Sequence, residues 1–587
     1  MQWLNWKVSG AVSRSREFNT GHEAVPLIVV EPPDDDLESG DIASPKTLPH
    51  ANSSFSDTSQ SQLSALFNTL VRILSYVWIA LRPRIFSGPQ DRQLGPTDWL
   101  SGVRGVASLF VMFSHIRVNL FGDVGHGWSS EHPRFLELPI IRLAYSGGAM
   151  VTLFFIVSGY ALSYRTLSLM RERTPDHFKI FKSLASSVFR RAIRLYIPVF
   201  VLAFIQLWTL YFRLQAPPPS EPRASTVLSL LGWWIEAVAN ALNPFDRNLP
   251  AAFNAPLAKI EMVWWTIPTE YRGSLVVFVV LLVLSQTRNL VRSLALVTYL
   301  LWATYIGQWE IFLFTAGIVC CDLHLSRQSR ATKAALTLGD ETPAATPSRK
   351  GWKVVINLCL SSLALVPTLY ILGAPEGWMV PDDWPGYGDA PFYHTLRIWT
   401  PQSWKGNTVA GDFWRCLAAV AFILLVDNTR FLRRLFEFPL SQYLADISFS
   451  LYLLHPITLK CIGNRMFSHI DRWVDGVSNY WLKQFLRVVL VSILFGPILF
   501  WVSELGATYL DQMSVKFAKW AESKFRSGRE TAIALPDTDN ATTDQSRWVN
   551  TNENVEVVQV RHGQDIGDAD GHHQPSPSSD VGTNRLQ

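Results

Sequence analysis

Apolar positions in this chain come in long uncharged blocks instead of the short periods of a soluble fold. Between Arg142 and Arg165 lie 22 residues without a charge, between Arg194 and Arg213 18, between Lys353 and Glu376 22, and between Arg487 and Glu504 16. A membrane-crossing helix needs about 20 mostly apolar residues, so the pattern predicts an all-α, polytopic transmembrane helix bundle. Ten spans are expected, at about 101–121, 145–164, 193–212, 263–285, 289–306, 308–321, 353–373, 411–427, 440–462 and 486–510. The fifth and sixth are short and tightly joined. Residues 225–241 are apolar but carry Glu236, which predicts a re-entrant or surface helix.

The ends differ from the middle. Residues 1–62 are rich in Ser, Pro and acidic residues ("EPPDDDLESGD") and predict a disordered tail. Residues 63–94 predict an interfacial amphipathic helix, with Arg72 inside its apolar face, and a linker. A membrane domain is expected over 95–510, followed by a basic juxtamembrane segment and a second disordered tail over 511–587.

Charge then orients the bundle. Arg165 to Arg191, Arg327 to Lys350, Arg430 to Arg434 and Lys516 to Arg529 form four basic stretches, placed here in loops or flanks. In the ten-span arrangement all four fall on one side. The positive-inside rule makes that side cytoplasmic, with both termini there. Which membrane holds the protein is left open. The net charge of +4 is small for 587 residues and gives no footprint for nucleic acid. Five cysteines without metal-type spacing predict packing thiols and no metal site.

The first span contains the candidate chemistry. "GVRGVASLFVMFSHIRVNL" holds Arg104 and His115, although an ionisable group at the centre of a bilayer costs about 2.5–3.5 kcal/mol even on lenient scales. Eleven residues at about 100° each return them to one face, about 16 Å apart along the axis. Ser108 shares that face. The stripe is expected to face the bundle interior, with Arg104 toward the cytoplasm. A polar tie between helices is the simpler alternative. Ser448, Tyr452 and His455 form a second stripe at i, i+4 and i+7 in the ninth span.

Six blocks in order give the chain a resemblance: "DWLSGVRGVASLFVMFSHI", "GGAMVTLFFIVSGYALSYR", "FRRAIRLYIP", "VWWTIPTEYRGSLVVF", "FLFTAGIVCCDL" and "LADISFSLYLLHP". They resemble the acyltransferase 3 family of integral membrane O-acyltransferases over roughly residues 95–510, and "WTIPTEYRGS" is similar to the filamentous-fungal branch. The resemblance implies about ten spans. It also implies transfer of an acyl group, usually from acyl-CoA, to a hydroxyl. No bound cofactor is implied, acyl-CoA being the donor. The expected partners are acyl-CoA, a hydroxyl-bearing small molecule and the bilayer. For a fungal relative the acceptor class is a secondary metabolite and the acyl group a short one such as acetyl, with a carbohydrate or lipid acceptor as the alternative.

Acyl transfer to an alcohol needs a base for the hydroxyl proton, and neutral imidazole suits that near pH 7. His115 is the candidate base. Arg104 lies too far along the helix to touch it and is assigned to the donor, because a guanidinium fork matches phosphate. Arg191 and Arg194, beside Arg190, form a basic cluster suited to docking CoA, or merely mark topology. Glu270 is expected to orient His115 or to bind Arg272, near a kink at Pro268 that frees carbonyls. His455 is expected to orient the acceptor, or else to be a satisfied core histidine. Ser158 is a cavity-lining candidate and Gly159 a packing one. Residues 374–410, with four Trp and two Tyr, suit a sugar or polycyclic ligand, or an interface anchor. No Gly-x-Ser-x-Gly elbow occurs, and none of the 13 His has Asp four residues on. A transporter or scaffold is the rival class. A transporter is expected to show repeat symmetry with paired broken helices, which the halves do not display, and a scaffold would not need both Arg104 and His115.

Overall fold

The computed structural model describes residues 93–525 except 122–125, 131–133, 173, 216–225, 246–256, 258–259, 338–350, 376–387 and 406–411. The expected tails and the expected interfacial helix at 63–83 lie outside the described residues. Every regular element among the described residues is helical. In chain order these are α1 (Asp98–Phe121), α2 (Gly147–Met170), α3 (His177–Tyr211), α4 (Val227–Ala241), α5 (Thr266–Val283), α6 (Asn289–Ile306), α7 (Trp309–Thr337) and α8 (Gly351–Leu372). There follow α9 (Tyr393–Ile398), α10 (Phe413–Asn428), α11 (Arg430–Glu437), α12 (Pro439–Thr458), α13 (Asn464–Val474), α14 (Tyr480–Gly506) and α15 (Gln512–Phe525). Two π-helical turns, Leu459–Gly463 and Ala507–Asp511, follow α12 and α14.

Helices occupy all ten segments that the apolar pattern marks. Among the described residues, seven helical stretches are long and apolar enough to cross a membrane: Asp98–Phe121, Gly147–Met170, His177–Tyr211, Met262–Val283, Asn289–Ile306, Trp309–Lys333 and Tyr480–Phe525. This is an integral membrane helix bundle. α12 is not among the seven for a physical reason. Most of its residues are buried in the protein, including Ser441, Gln442, Ser448, Ser450 and His455. A helix wrapped by other helices needs no apolar coat facing lipid, and its polar groups lower its hydropathy.

Several boundaries differ from the sequence expectation. α3 starts at His177, where the Asp176 carboxylate caps the Lys179 N–H at 3.0 Å, so Arg190 and Arg191 lie within a helix and not in a loop. Arg327, Arg330 and Lys333 likewise extend α7, and Lys516, Lys519 and Lys524 lie on α15. Basic residues have good helix propensity, so positive charge leaves the membrane without ending the helix. α4 is a mostly exposed helix lying against α3, where its Ala241 carbonyl accepts from Tyr196 Oη and its Trp234 indole donates to the Phe200 carbonyl. Gly307, with φ of 72°, ends α6 in the left-handed conformation and permits the tight joint to α7.

Small residues bring the central helices together. A Cβ on Gly159 of α2 would overlap the Phe314 carbonyl of α7, and one on Gly317 of α7 would overlap the Ile156 carbonyl of α2. Such contacts replace hydrophobic driving force inside a bilayer. α1 approaches α12 in the same way, since a Cβ on Gly105 would fall 2.5 Å from the Ala445 amide nitrogen and 2.9 Å from the Ser441 carbonyl oxygen. Gly105→Val is therefore expected to destabilise the bundle by about 1–3 kcal/mol through overpacking. Gly496→Ala, with no neighbour within 4 Å of the added carbon, is expected to be neutral. The check is the fraction of each variant that stays monodisperse after graded heating in detergent.

Candidate active site

The close α1–α12 approach sets the register between two polar stripes. Arg104 Nε donates to Ser448 Oγ at 3.1 Å. Farther along both helices the rings of His115 and His455 lie 5.2 Å apart between centroids. Ser108, between them on α1, is buried and spends its hydroxyl on the Gly105 carbonyl. Because 104 pairs with 448 and 115 with 455, α1 and α12 run in the same direction.

A cavity of about 310 Å³ opens beside Arg104 and Ser448. Its walls come from α1, α2, α3, α5, α12 and the π turn before α15. Arg104, Arg191, Arg194, Ser158, Glu270, Ser448 and Tyr452 all line it. The volume is at the low end of ligand pockets, about 300–1,000 Å³, enough for part of an extended ligand.

The cavity is highly charged yet nearly balanced. Arg191 Nη2 bonds Glu270 Oε1 at 2.6 Å and its Nε bonds Ser274 Oγ at 3.0 Å. Ser158 Oγ donates to the same Glu270 oxygen at 3.1 Å. Arg194 Nε lies 3.9 Å from Asp511 Oδ1, while Arg190 points elsewhere, to Glu522 at 3.3 Å. Arg104 differs from its neighbours: among the described residues it makes no ion pair, and its one hydrogen bond goes to a neutral hydroxyl.

The sequence-level roles of Glu270 are corrected by this geometry. Glu270 binds Arg191, whereas Arg272 is taken by Glu310 at 3.1 Å. Two residues along α5 turn the side chain by about 200°, so Glu270 and Arg272 point in nearly opposite directions. Pro268 produces no mid-helix kink. It is the third residue of α5, within the first turn, where a missing N–H costs nothing. The chain is tightened just upstream, in a 3₁₀ turn at Met262–Trp265.

His115 and His455 do not line the cavity. Tyr452 stands between, its hydroxyl held by Thr266 Oγ1 and the Val263 carbonyl, each at 2.7 Å. Its ring meets Phe154 edge-on at 5.7 Å on one side and His455 at 6.1 Å on the other. His455 lies inside the protein and not on the cavity wall. It is 1% exposed, packed against His115. Trp264 fixes the same region by donating to the Leu453 carbonyl at 3.1 Å.

Comparison with known proteins decides what kind of catalyst this is. The Acyl_transf_3 model, an acyltransferase domain, matches residues 97–503. The chain belongs to the acyltransferase 3 family. O-Acetyltransferase PaAT-1 of Phomopsis amygdali is 26% identical over 468 residues, covering 75% of this chain and 88% of that protein. Acyltransferase clz18 of Cochliobolus lunatus is 24% identical over 448 residues, covering 69% and 91%. Acyltransferase R4 of a Phoma species is 23% identical over 436 residues, covering 67% and 88%. No solved structure matches the chain. The protein is thus an O-acyltransferase, and the matched region contains both polar stripes.

Sequence reasoning missed two carboxylates of this acyltransferase cavity, Asp446 and Asp511. Asp446 carried a usable signal, a carboxylate inside an expected span. Asp511 carried none, because it enters the cavity through a π turn that apolar periodicity does not reveal. In residues 374–410, Trp404 is an anchor, buried and bonded to the Thr304 carbonyl at 2.7 Å, whereas Trp399 is exposed.

The Arg191–Glu270 pair is expected to act as a unit. Single changes to Ala at either position should each lower turnover, and the double variant should lose no more than the worse single. The coupling is expected at about 1–3 kcal/mol. Acyl-CoA turnover in membranes holding equal amounts of the four forms checks it; additive losses would mean that the two residues act independently.

Proposed function

We propose that this acyltransferase moves a short acyl group, such as acetyl, from acyl-CoA to a hydroxyl of a small molecule, and that the acceptor is a fungal secondary metabolite. Arg104 is the observation that carries the donor assignment. A guanidinium in a cavity, hydrogen-bonded only to Ser448 and in no direct ion pair among the described residues, is a charge suited to an anionic ligand. The phosphates of CoA suit its fork. Arg194, 45% exposed and only loosely tied to Asp511, adds positive charge at the same cavity. Arg191, committed to Glu270, holds the cavity wall.

The thioester then lies toward His115, about 16 Å from Arg104 along α1. In this reading His115 takes the acceptor proton as the oxygen attacks the thioester carbonyl. The C–S bond breaks, and the proton returns to the departing thiolate to give free CoA. Phe154 and Tyr452, between the cavity and the histidines, are the groups the acyl arm passes. The acetyl assignment is supported by PaAT-1, named an O-acetyltransferase; the acceptor class rests on the resemblance of "WTIPTEYRGS" to the filamentous-fungal branch.

Ten spans with both tails in the cytoplasm complete the proposal. The parallel course of α1 and α12, first and ninth in that count, agrees with it, as does the shared side of the basic stretches. Reporter fusions at residues 1 and 587 are expected to report the cytoplasm at both ends; opposite sides would require an odd number of spans.

Two variants test the chemistry. His115→Gln is expected to lose at least about 10²-fold in turnover, the low end for a general base, while still binding acyl-CoA. Arg104→Lys keeps the charge but loses the fork, and is expected to raise the donor KM more than it lowers kcat. The acceptor is found by comparing metabolites with and without the gene, and turnover is measured in membranes with matched protein. A His115→Gln enzyme near full activity would remove the histidine from the reaction.

A further inference from the structure

Two imidazoles meet between α1 and α12, and one has an unused nitrogen. His455 Nδ1 lies 2.9 Å from the Leu451 carbonyl. A carbonyl only accepts, so Nδ1 carries the proton and the neutral ring presents Nε2 as a bare acceptor. Nε2 is buried and, among the described residues, has no hydrogen-bond partner. Leaving a buried acceptor unpaired costs about 1–3 kcal/mol. The ring beside it is His115. The backbone there is irregular: Pro456 cannot donate to the Tyr452 carbonyl, and a π turn follows at Leu459–Gly463. Such irregularity is frequent at functional sites.

Building on the assignment of His115 as the base, we propose that His455 is its positioning residue: Nε2 of His455 accepts the N–H of one His115 nitrogen and thereby leaves the other nitrogen bare for the acceptor hydroxyl. A chain of three groups results, in which the Leu451 carbonyl orients His455 and His455 orients His115. The role is the one an orienting carboxylate has in a hydrolytic triad, here filled by a neutral ring. When His115 takes the proton from the acceptor hydroxyl, the new oxygen–acyl bond forms and the carbon–sulfur bond breaks. The imidazolium keeps its hydrogen bond to His455 and gives the captured proton to the thiolate. Apo enzymes often hold such bonds long until substrate closes them, in keeping with an Nε2 that has no bond yet. The other titratable or charged groups around His455 are Tyr452 on its own helix and Lys460 on the π turn, the latter paired with Glu261 at 2.6 Å.

The test uses the full-length enzyme in membranes, with His455→Phe to fill the space, His455→Asn to keep polarity, His115→Gln, and the His115→Gln/His455→Asn double variant. Both His455 variants are expected to lose on the order of 10- to 100-fold in kcat with donor KM nearly unchanged, as for loss of a group that orients a general base. An acceptor facing the N–H of His115 stabilises its protonated form, so without His455 the acid limb of the kcat–pH profile should move to lower pH. The double variant should be no slower than His115→Gln alone. A kcat loss with an unmoved acid limb, or a double variant slower in proportion to both single losses, makes His455 structural and overturns the proposal. Normal activity in both His455 variants overturns it too. If His115→Gln is itself active, the base assignment has failed; if His115→Gln is inactive and the His455 variants are normal, only the present inference has failed. Should His455→Phe not accumulate, His455→Asn and the double variant still decide.

Discussion

The contact on which the site depends is the approach of α1 to α12 at Gly105. With no side chain at that point, the helices come close enough for Arg104 to reach Ser448 and for the ring of His115 to lie beside that of His455. Both meetings follow from one register between parallel helices, so a slip of either helix by one residue would break them together. The remaining helices support this pair. α2 and α7 lock through Gly159 and Gly317, α5 and the 3₁₀ turn before it are tied to α12 by Thr266 and Trp264, and α3 contributes Arg191 through Glu270.

Charge is distributed so that the cavity can be wet and polar while the bundle stays folded. Ion pairs that tie helices together absorb most of it: Arg191 with Glu270, Arg272 with Glu310, and Arg171 and Arg292 with Asp322. Breaking one such buried pair leaves an uncompensated charge, which costs far more than the pair contributes. These residues are therefore fixed by the fold. Arg104 stands apart because its partner is neutral, so ligand binding there takes no carboxylate from the structure.

Much of this was legible in the sequence. Uncharged blocks located the helices, since burial in lipid imposes long apolar runs. The eleven-residue separation of Arg104 and His115, and the i, i+4, i+7 spacing of Ser448, Tyr452 and His455, gave the two stripes. What could not be read was how they pair, because periodicity places a residue on a face but does not say which helix that face meets. For that reason the sequence offers Glu270 either His115 or its neighbour Arg272, when its partner is Arg191 on another helix. Helix ends were misplaced where basic residues continued them, as at Arg191 and Lys333, because charge marks the membrane boundary and not the last helical turn. Asp511 was invisible because a π turn shifts the phase on which the spacing argument relies.

On the proposed reading, the separation of cavity and histidines also bears on how a thioester can be used without being wasted. A base strong enough to activate an alcohol will activate water equally well if water reaches it with the donor. Here the charged, open part of the site surrounds Arg104, and the imidazole pair lies past Tyr452, whose hydroxyl is fully engaged by Thr266 and the Val263 carbonyl. A tyrosine with its polar end already bonded presents mainly its ring to the passage and offers little to hold a water chain. Phe154 closes the other side with an apolar edge. Exclusion of water strengthens the electrostatics inside and suppresses hydrolysis of reactive groups. Placing the charge that attracts the donor about three helical turns from the base that completes the reaction lets one helix serve both steps. That division explains why a single span carries two ionisable side chains and why they sit at opposite ends of it.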